Sequence, residues 1–117
     1  MKNTKIIKSN EIFRLVLKKG DFNVDKYLST HVLKISKKNY NINYLGICVS
    51  KKNGNSVKRN KIKRWVREVY KQEEIKLKKN INIVILIKKT TKFEDLSYDI
   101  IKTEMISCFE KLGLYEI

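Results

Sequence analysis

A strand–helix–strand pattern between residues 44 and 88 constrains the fold more than any other feature of the sequence. Apolar residues alternate along Tyr44–Ser50, and Ile81–Lys88 is apolar at almost every position, as in a strand that is buried on both faces. A helical pattern from about Val57 to Lys71 or beyond lies between them and follows a turn at Asn53-Gly54-Asn55. Such a βαβ unit predicts an α+β or α/β domain with a small sheet.

Helix-capping residues define two further helices. Ser9 is in position to cap a first helix that stops at Gly20, and Ser97 caps a last helix that runs to about Leu112. No linker or internal repeat divides the 117 residues, so residues 1–117 are predicted to form one domain.

The region between the first helix and the βαβ unit predicts one more strand and a loop. Tyr27–Ile35 alternates in polarity, with residues 29, 31, 33 and 35 on one face, and the polar run Lys37–Asn43 follows as a loop. On Tyr44–Ser50 one face carries the small residues Gly46, Cys48 and Ser50. Small side chains on a sheet face leave room for a packed helix or for a ligand.

Composition excludes several classes of protein. A hydrophobic fraction of 42% is enough to form a core, and the most apolar run, Ile81–Ile87, is far shorter than the ~20 residues that cross a bilayer. One His and two distant cysteines, Cys48 and Cys108, form neither a closed zinc site nor a disulfide scaffold. The first ten residues lack the apolar segment of a signal peptide. We therefore expect a cytoplasmic protein with no membrane association and no bound metal.

Positive charge is concentrated in one segment of the chain. The formal net charge is +15, and Lys51–Arg67 contributes eight basic residues without an acidic one. Three of the four arginines, Arg59, Arg64 and Arg67, lie in this segment. The concentration predicts a polyanionic partner such as a nucleic acid, although charge alone does not separate RNA from DNA.

The predicted central helix has two distinct faces. At about 100° per residue, Ile62, Trp65, Val66 and Val69 form one apolar stripe. Arg59, Asn60, Lys63, Arg64, Arg67 and Lys71 share the opposite face, and these residues are called the cationic stripe below. Like charges four residues apart disfavour an isolated helix by roughly 0.2–0.5 kcal/mol per pair, so an unrelieved stripe suits a helix that meets phosphate groups.

These residues resemble the signature of the bacterial ribonuclease P protein component. The similarity rests on Val49-Ser50-Lys51-Lys52, Gly54-Asn55 and Val57, followed by Arg59-Asn60-Lys61-Ile62-Lys63-Arg64 and Arg67-Glu68. The resemblance implies an αβββαβα order, a four-stranded sheet with a left-handed βαβ crossover, and a short extra strand near Asp21–Asp25.

The resemblance also implies a function. Members of this family are RNA-binding subunits that assist a catalytic RNA in removing the 5′ leader of precursor tRNA. The implied partners are that RNA and precursor tRNA, with no membrane and no obligate protein partner. The protein itself would contain no catalytic residue and no cofactor, and Mg²⁺ would be required by the RNA.

Two sets of site residues follow from the resemblance. The contacts to the catalytic RNA are assigned to Lys51, Lys52, Lys58, Arg59, Asn60, Lys61, Lys63, Arg64 and Arg67. Lys61 stands where the family usually has an arginine, so it keeps the charge and loses the planar fork. The cleft for the single-stranded leader is assigned to Phe13, Leu17, His31 and Lys88. For Phe13, Leu17 and His31 the pattern is equally compatible with ordinary packing positions.

Two alternative functions compete with this interpretation. A general RNA-binding protein of ribosomal or chaperone type would explain the charge and the helix, but not the combined strand–turn–helix motif. A self-sufficient metal-dependent nuclease would need clustered carboxylate or His ligands, and the sequence shows no such spacing.

Overall fold

The computed structural model describes residues 1–35 and 41–116, in which three helices pack against one five-stranded sheet. The strands are β1 (Thr4–Ile6), β2 (Asp21–Val24), β3 (Leu28–Lys34), β4 (Asn43–Cys48) and β5 (Ile81–Ile87). The helices are α1 (Asn10–Lys19), α2 (Ser56–Glu73) and α3 (Tyr98–Lys111). Across the sheet the strand order is β1-β4-β5-β3-β2.

The predicted βαβ unit is confirmed. β4 and β5 are parallel neighbours joined through α2, whereas β3 pairs antiparallel with both β5 and β2. The short strand expected near Asp21–Asp25 is present as β2. The left-handed sense of the crossover stays a prediction from the family resemblance.

The expectation of a four-stranded sheet is wrong, because the described residues form a sheet of five strands. β1 adds a fifth strand at the edge of the sheet, parallel to β4, with Thr4 opposite Asn43. The first residues alternate too little to predict a strand, and β1 is held by tertiary contacts. Glu74 accepts hydrogen bonds from the backbone N–H of Lys2 at 2.9 Å and of Asn3 at 3.3 Å.

Glu74 is ionised and holds β1 in place through its hydrogen bonds. Burial by itself would raise the pKa of Glu74, but hydrogen bonds from Thr4, Lys2 and Asn3 and the nearby terminal ammonium outweigh burial. The pKa therefore lies below its ordinary value, and the carboxylate is charged at neutral pH. A hydrogen bond of 2.6 Å between the hydroxyls of Thr4 and Tyr70 joins β1 to α2 beside it.

β4 begins and ends earlier than the sequence predicts. Asn43 is expected in a loop, but it pairs with Thr4 of β1 and its backbone N–H donates to the carbonyl of Asn3, so it belongs to β4. Its side chain also donates to the carbonyl of Lys78 and accepts from the N–H of Ile81. Residues 37–40 of that predicted loop lie outside the described residues. At the other end β4 stops at Cys48 rather than Ser50, because the N–H of Ser50 donates to Asn53 Oδ1 in the following turn.

The two faces of the sheet have different partners. The main core lies between the sheet and α2 with α3, and it contains Leu45, Ile83 and Ile85 together with the apolar stripe of α2. Ile62, Val66 and Val69 of that stripe are fully buried, and Trp65 is half-buried. The opposite face carries α1, so the space left by Gly46 is occupied by a helix.

The predicted helix ends are confirmed. Ser9 Oγ accepts from the N–H of Ile12 at 3.3 Å, and Ser97 Oγ accepts from the N–H of Ile100 at 3.2 Å. Gly20 ends α1 by donating to the carbonyl of Val16. Gly113 follows α3 with φ +67°, a conformation that favours glycine.

Replacing Glu74 with glutamine should lower the free energy of unfolding by about 1 kcal/mol at neutral pH, because charge-assisted hydrogen bonds to β1 are weakened. The depressed pKa means that this contribution is complete above the ordinary Glu pKa and is lost as pH falls through the lower, folded-state value. Denaturant unfolding of the parent and Glu74→Gln should therefore differ at pH 7 and converge in acid.

The matched control is Glu68→Gln on the exposed side of α2, which should change stability much less. A Glu74 variant as stable as the parent at pH 7 would contradict the anchoring role.

Candidate nucleic-acid interface

The turn before α2 determines where the basic helix starts. Lys51 and Lys52 are exposed in a 3₁₀ turn (Lys51–Asn53), and Gly54 follows with φ +146°, which a residue with a side chain rarely adopts. Asn55 then caps α2, its Oδ1 accepting from the N–H of Lys58 at 2.9 Å. The turn thus brings two lysines and the positive end of the helix dipole to one place.

The cationic stripe lies on the outer side of α2, as predicted. Asn60, Arg64, Arg67 and Lys71 are exposed, whereas Arg59 and Lys63 are half-buried. Within residues 1–35 and 41–116 the ion pairs are Lys58–Glu94 and Lys76–Glu73, and neither involves the stripe. Its charges are therefore available to a polyanion.

Lys58 and Lys61 belong to a different flank of α2. Lys61 Nζ lies 5.4 Å from the centroid of the Trp65 ring, and Lys58 Nζ lies 5.6 Å from the centroid of the Phe93 ring. Lys58 is also 3.6 Å from Glu94 Oε1. The structure thus divides the nine predicted RNA-contacting residues between the preceding turn, the stripe and this second flank.

α1 lies on the other face of the sheet and presents Phe13 to it. A Cβ atom built on Gly46 would lie 2.6 Å from Phe13 Cε2, so the ring packs directly on the glycine. Val16 is buried against the sheet, and Phe13 and Leu17 beside it are half-buried. Ile12 and Leu15 of the same helix are each about two-fifths exposed.

His31 lies on the same sheet face and is held by its neighbours. Its Nε2 is 2.9 Å from Ser29 Oγ, and its ring stacks on Phe22 with centroids 5.7 Å apart and planes 26° apart. Burial lowers the pKa of His31, so the imidazole is neutral at pH 7. The side chain can therefore contribute an aromatic surface there but not a positive charge.

Phe22 and Val24 were missed by the sequence analysis. They face the same side of the sheet as His31, since β2 pairs Phe22 with His31 and Val24 with Ser29, and they are 62% and 53% exposed. The available signal was their i, i+2 spacing in the strand implied near Asp21–Asp25. An exposed Phe beside a stacked His extends the apolar surface available to unpaired bases.

Lys88 has its contacts at the end of β5. Its N–H donates to the carbonyl of Tyr27 at 3.0 Å. Burial raises the pKa of Glu104, and the charge of Lys88 acts in the opposite direction on that carboxyl. Lys88 thus lies near Glu104 of α3, whereas Phe13 contacts Gly46 and His31 contacts Phe22.

A small pocket connects the two surfaces. It has a volume of about 190 Å³, and its walls include Phe13 and Gly46 on one side with Lys63 and Arg67 on the other. The apolar face under α1 and the cationic stripe of α2 therefore meet at the edge of the sheet. A single nucleic-acid strand could contact both without crossing the core.

Among residues 1–35 and 41–116, no three His, Cys, Asp or Glu side chains come together as a metal ion would require. The expectation that the protein binds no metal stays a prediction. Within the same residues no helix has the length and apolar character needed to cross a membrane.

Comparison with known proteins gives one consistent result. The model of the ribonuclease P family matches residues 1–113. The chain is 39% identical over 116 residues to a ribonuclease P protein component of Clostridium botulinum, covering 98% of this chain and 99% of that one. It is 32% identical to the same component of Bacillus pumilus, covering 99% and 94%.

Similar solved structures belong to the same kind of protein. The RNase P protein of Staphylococcus aureus superposes with a TM-score of 0.81 at 27% identity, covering 95% of this chain and 97% of that one. The RNase P protein of Thermotoga maritima gives a TM-score of 0.74 at 26% identity, covering 88% and 93%.

Gly46→Ala should lower the free energy of unfolding by roughly 1–3 kcal/mol, because the added methyl group overlaps Phe13 and forces the ring off the sheet. Thermal unfolding measures the loss, and Cys48→Ala on the same strand is the control because it adds no volume. A Gly46→Ala protein as stable as Cys48→Ala would contradict the close packing of Phe13.

Proposed function

The chain belongs to the ribonuclease P protein family, and from that premise we propose that its two surfaces bind two different RNA segments. The protein is an RNA-binding subunit of ribonuclease P, the endonuclease ribonucleoprotein that removes the 5′ leader in tRNA maturation. In our proposal the cationic stripe and the preceding lysines hold the catalytic RNA, and the surface under α1 holds the leader of precursor tRNA.

The observation that carries the proposal is the cationic stripe, which forms no ion pair with an acidic side chain within residues 1–35 and 41–116. Five of its residues, Arg59, Asn60, Lys63, Arg64 and Arg67, match the predicted RNA contacts, and α2 presents them along several helical turns. Basic side chains that displace counterions from RNA gain affinity in proportion to the phosphates contacted. The repulsion within the stripe is relieved when phosphate groups supply the opposite charge.

Phe13, Leu17 and His31 support the assignment of the leader. Unpaired bases stack on aromatic side chains, and each such contact contributes roughly 1–3 kcal/mol. Phe13 and His31 supply half-buried rings on the sheet face that carries α1, and exposed Phe22 adds a third. Leu17 adds apolar contact without stacking, and Lys88 at the end of β5 supplies a charge for a backbone phosphate.

We propose that the protein performs no bond cleavage. The hydrolysis belongs to the catalytic RNA with its Mg²⁺, while this chain positions the leader and offsets phosphate repulsion. The general RNA-binding alternative is not favoured, because the family match covers almost the whole chain. The proposal places the protein in the cytoplasm, with the catalytic RNA and precursor tRNA as partners and no obligate protein partner.

Purified protein alone should leave precursor tRNA intact, and addition of the cognate catalytic RNA at low Mg²⁺ should restore removal of the leader. The reason is that the protein lowers the electrostatic cost of bringing two polyanions together. Product length on a sequencing gel measures the cleavage. Failure of the reconstituted complex to release the leader would contradict the proposal, and cleavage by the protein alone would contradict its inactivity.

Substitutions that reverse a charge or remove a ring should affect RNA binding at the two surfaces independently. Arg64→Glu should weaken binding to the catalytic RNA at least tenfold, whatever the substrate, whereas Lys102→Glu on α3 should change it little. Phe13→Ala should weaken binding of precursor tRNA to the holoenzyme roughly fivefold or more, and should have no effect on a tRNA that lacks the leader. Equal effects of Arg64→Glu and Lys102→Glu would mean that the charge acts diffusely.

A further inference from the structure

Trp65 and Phe93 form an aromatic pair on the flank of α2 that faces away from the cationic stripe. Their ring centroids are 5.7 Å apart and their planes differ by 10°, so the rings are stacked. Both side chains are half-buried and pack against the core, which joins the 3₁₀ turn Phe93–Asp95 to α2. The pair is therefore a rigid part of the domain surface.

A lysine ammonium group lies over each of the two rings. Lys61 Nζ lies over Trp65 at 5.4 Å and Lys58 Nζ lies over Phe93 at 5.6 Å, both within the range of a cation–π contact. A free lysine loses side-chain entropy when it is fixed. Contact with a ring restricts the lysine before RNA arrives, so less freedom remains to be lost on binding.

The helix geometry separates these lysines from the stripe. Lys61 and Lys58 lie about 120° and 180° around α2 from the middle of the stripe, near Arg67. Arg64, at the edge of the stripe, is three residues and only about 60° from Lys61, so these two side chains are neighbours on the helix surface. Lys61 and Lys58 therefore extend the cationic surface of α2 beyond the stripe, with Lys58 farthest from it.

We propose that Trp65 and Phe93 are positioning residues that hold Lys61 and Lys58 as a second cationic edge of α2, which contacts the phosphate backbone of the catalytic RNA. This inference rests on the proposed function. Contact with the Trp65 ring fixes the orientation of Lys61 without the planar guanidinium group of an arginine. Glu94 limits Lys58, since the carboxylate lies 3.6 Å from its ammonium group.

The test is titration of the catalytic RNA with the full-length protein over a series of salt concentrations. Lys61→Gln removes one charge from an exposed position without disturbing the core, and should weaken binding roughly three- to tenfold. It should also reduce the slope of log K against log salt by about 0.7–0.9. Glu94→Gln, which frees Lys58, should tighten binding about twofold.

Variants of Trp65 distinguish positioning from packing. Trp65→Leu keeps an apolar side chain and should weaken binding, but by less than Lys61→Gln because the lysine keeps its charge, while Trp65→Tyr keeps a ring and should restore most of the affinity. The double variant Trp65→Leu/Lys61→Gln should bind no more weakly than Lys61→Gln alone, because the Trp65 ring acts through that lysine. Lys61→Gln combined with Arg67→Ala should give the product of the two single effects.

Three outcomes would overturn the inference. Trp65→Leu could bind like the parent while Arg64→Glu binds weakly, which would leave the proposed function intact. Trp65→Tyr could lose as much affinity as Trp65→Leu, and Lys61→Gln could weaken the binding of a Trp65 variant as much as it weakens that of the parent. The rings would then stabilise the fold without positioning the lysines. If Arg64→Glu also binds like the parent, the proposed function fails as well.

Discussion

The buried amide of Asn53 connects the parts of the molecule that place the basic helix. Its Nδ2 donates to the carbonyls of Lys88 at 2.9 Å and Thr91 at 2.7 Å, and its Oδ1 accepts from the N–H of Ser50. One side chain therefore joins the end of β4 to the end of β5, at the point where the chain turns into α2. Because the residue is 1% exposed, water cannot replace these hydrogen bonds.

The direction of α2 then decides which charges face outward. Once Asn53 and Asn55 have fixed its first turn, burial of Ile62, Val66 and Val69 sets its rotation on the sheet. Burial of such side chains contributes roughly 1.5–3 kcal/mol each, more than the repulsion between neighbouring cations costs. The apolar face thus holds in place a helix whose charges would oppose it in isolation, and the unbalanced charge remains available for phosphate groups.

Residues at the second surface were predictable to different degrees. Phe13 and His31 were assigned to the cleft from the family resemblance, and the structure places both on one sheet face. Phe22 was missed because β2 has four residues, too few for alternation to show which face is open. The pairing of Phe22 with His31 makes it part of that surface, and strand pairing is a tertiary property. The same limit hid β1, whose position depends on Glu74, about seventy residues away.

What the sequence by itself determined was local: the caps at Ser9 and Ser97, the turn at Gly54, the periodicity of α2 and the run of cations along it. These features depend on neighbours within a few residues, so their patterns are readable without a fold. The tertiary structure alone decided the fifth strand and the aromatic platform of Trp65 and Phe93. Phe93 and Trp65 are 28 residues apart in the chain. Only the packing of the turn after β5 against α2 brings their rings, and the lysines over them, to one place.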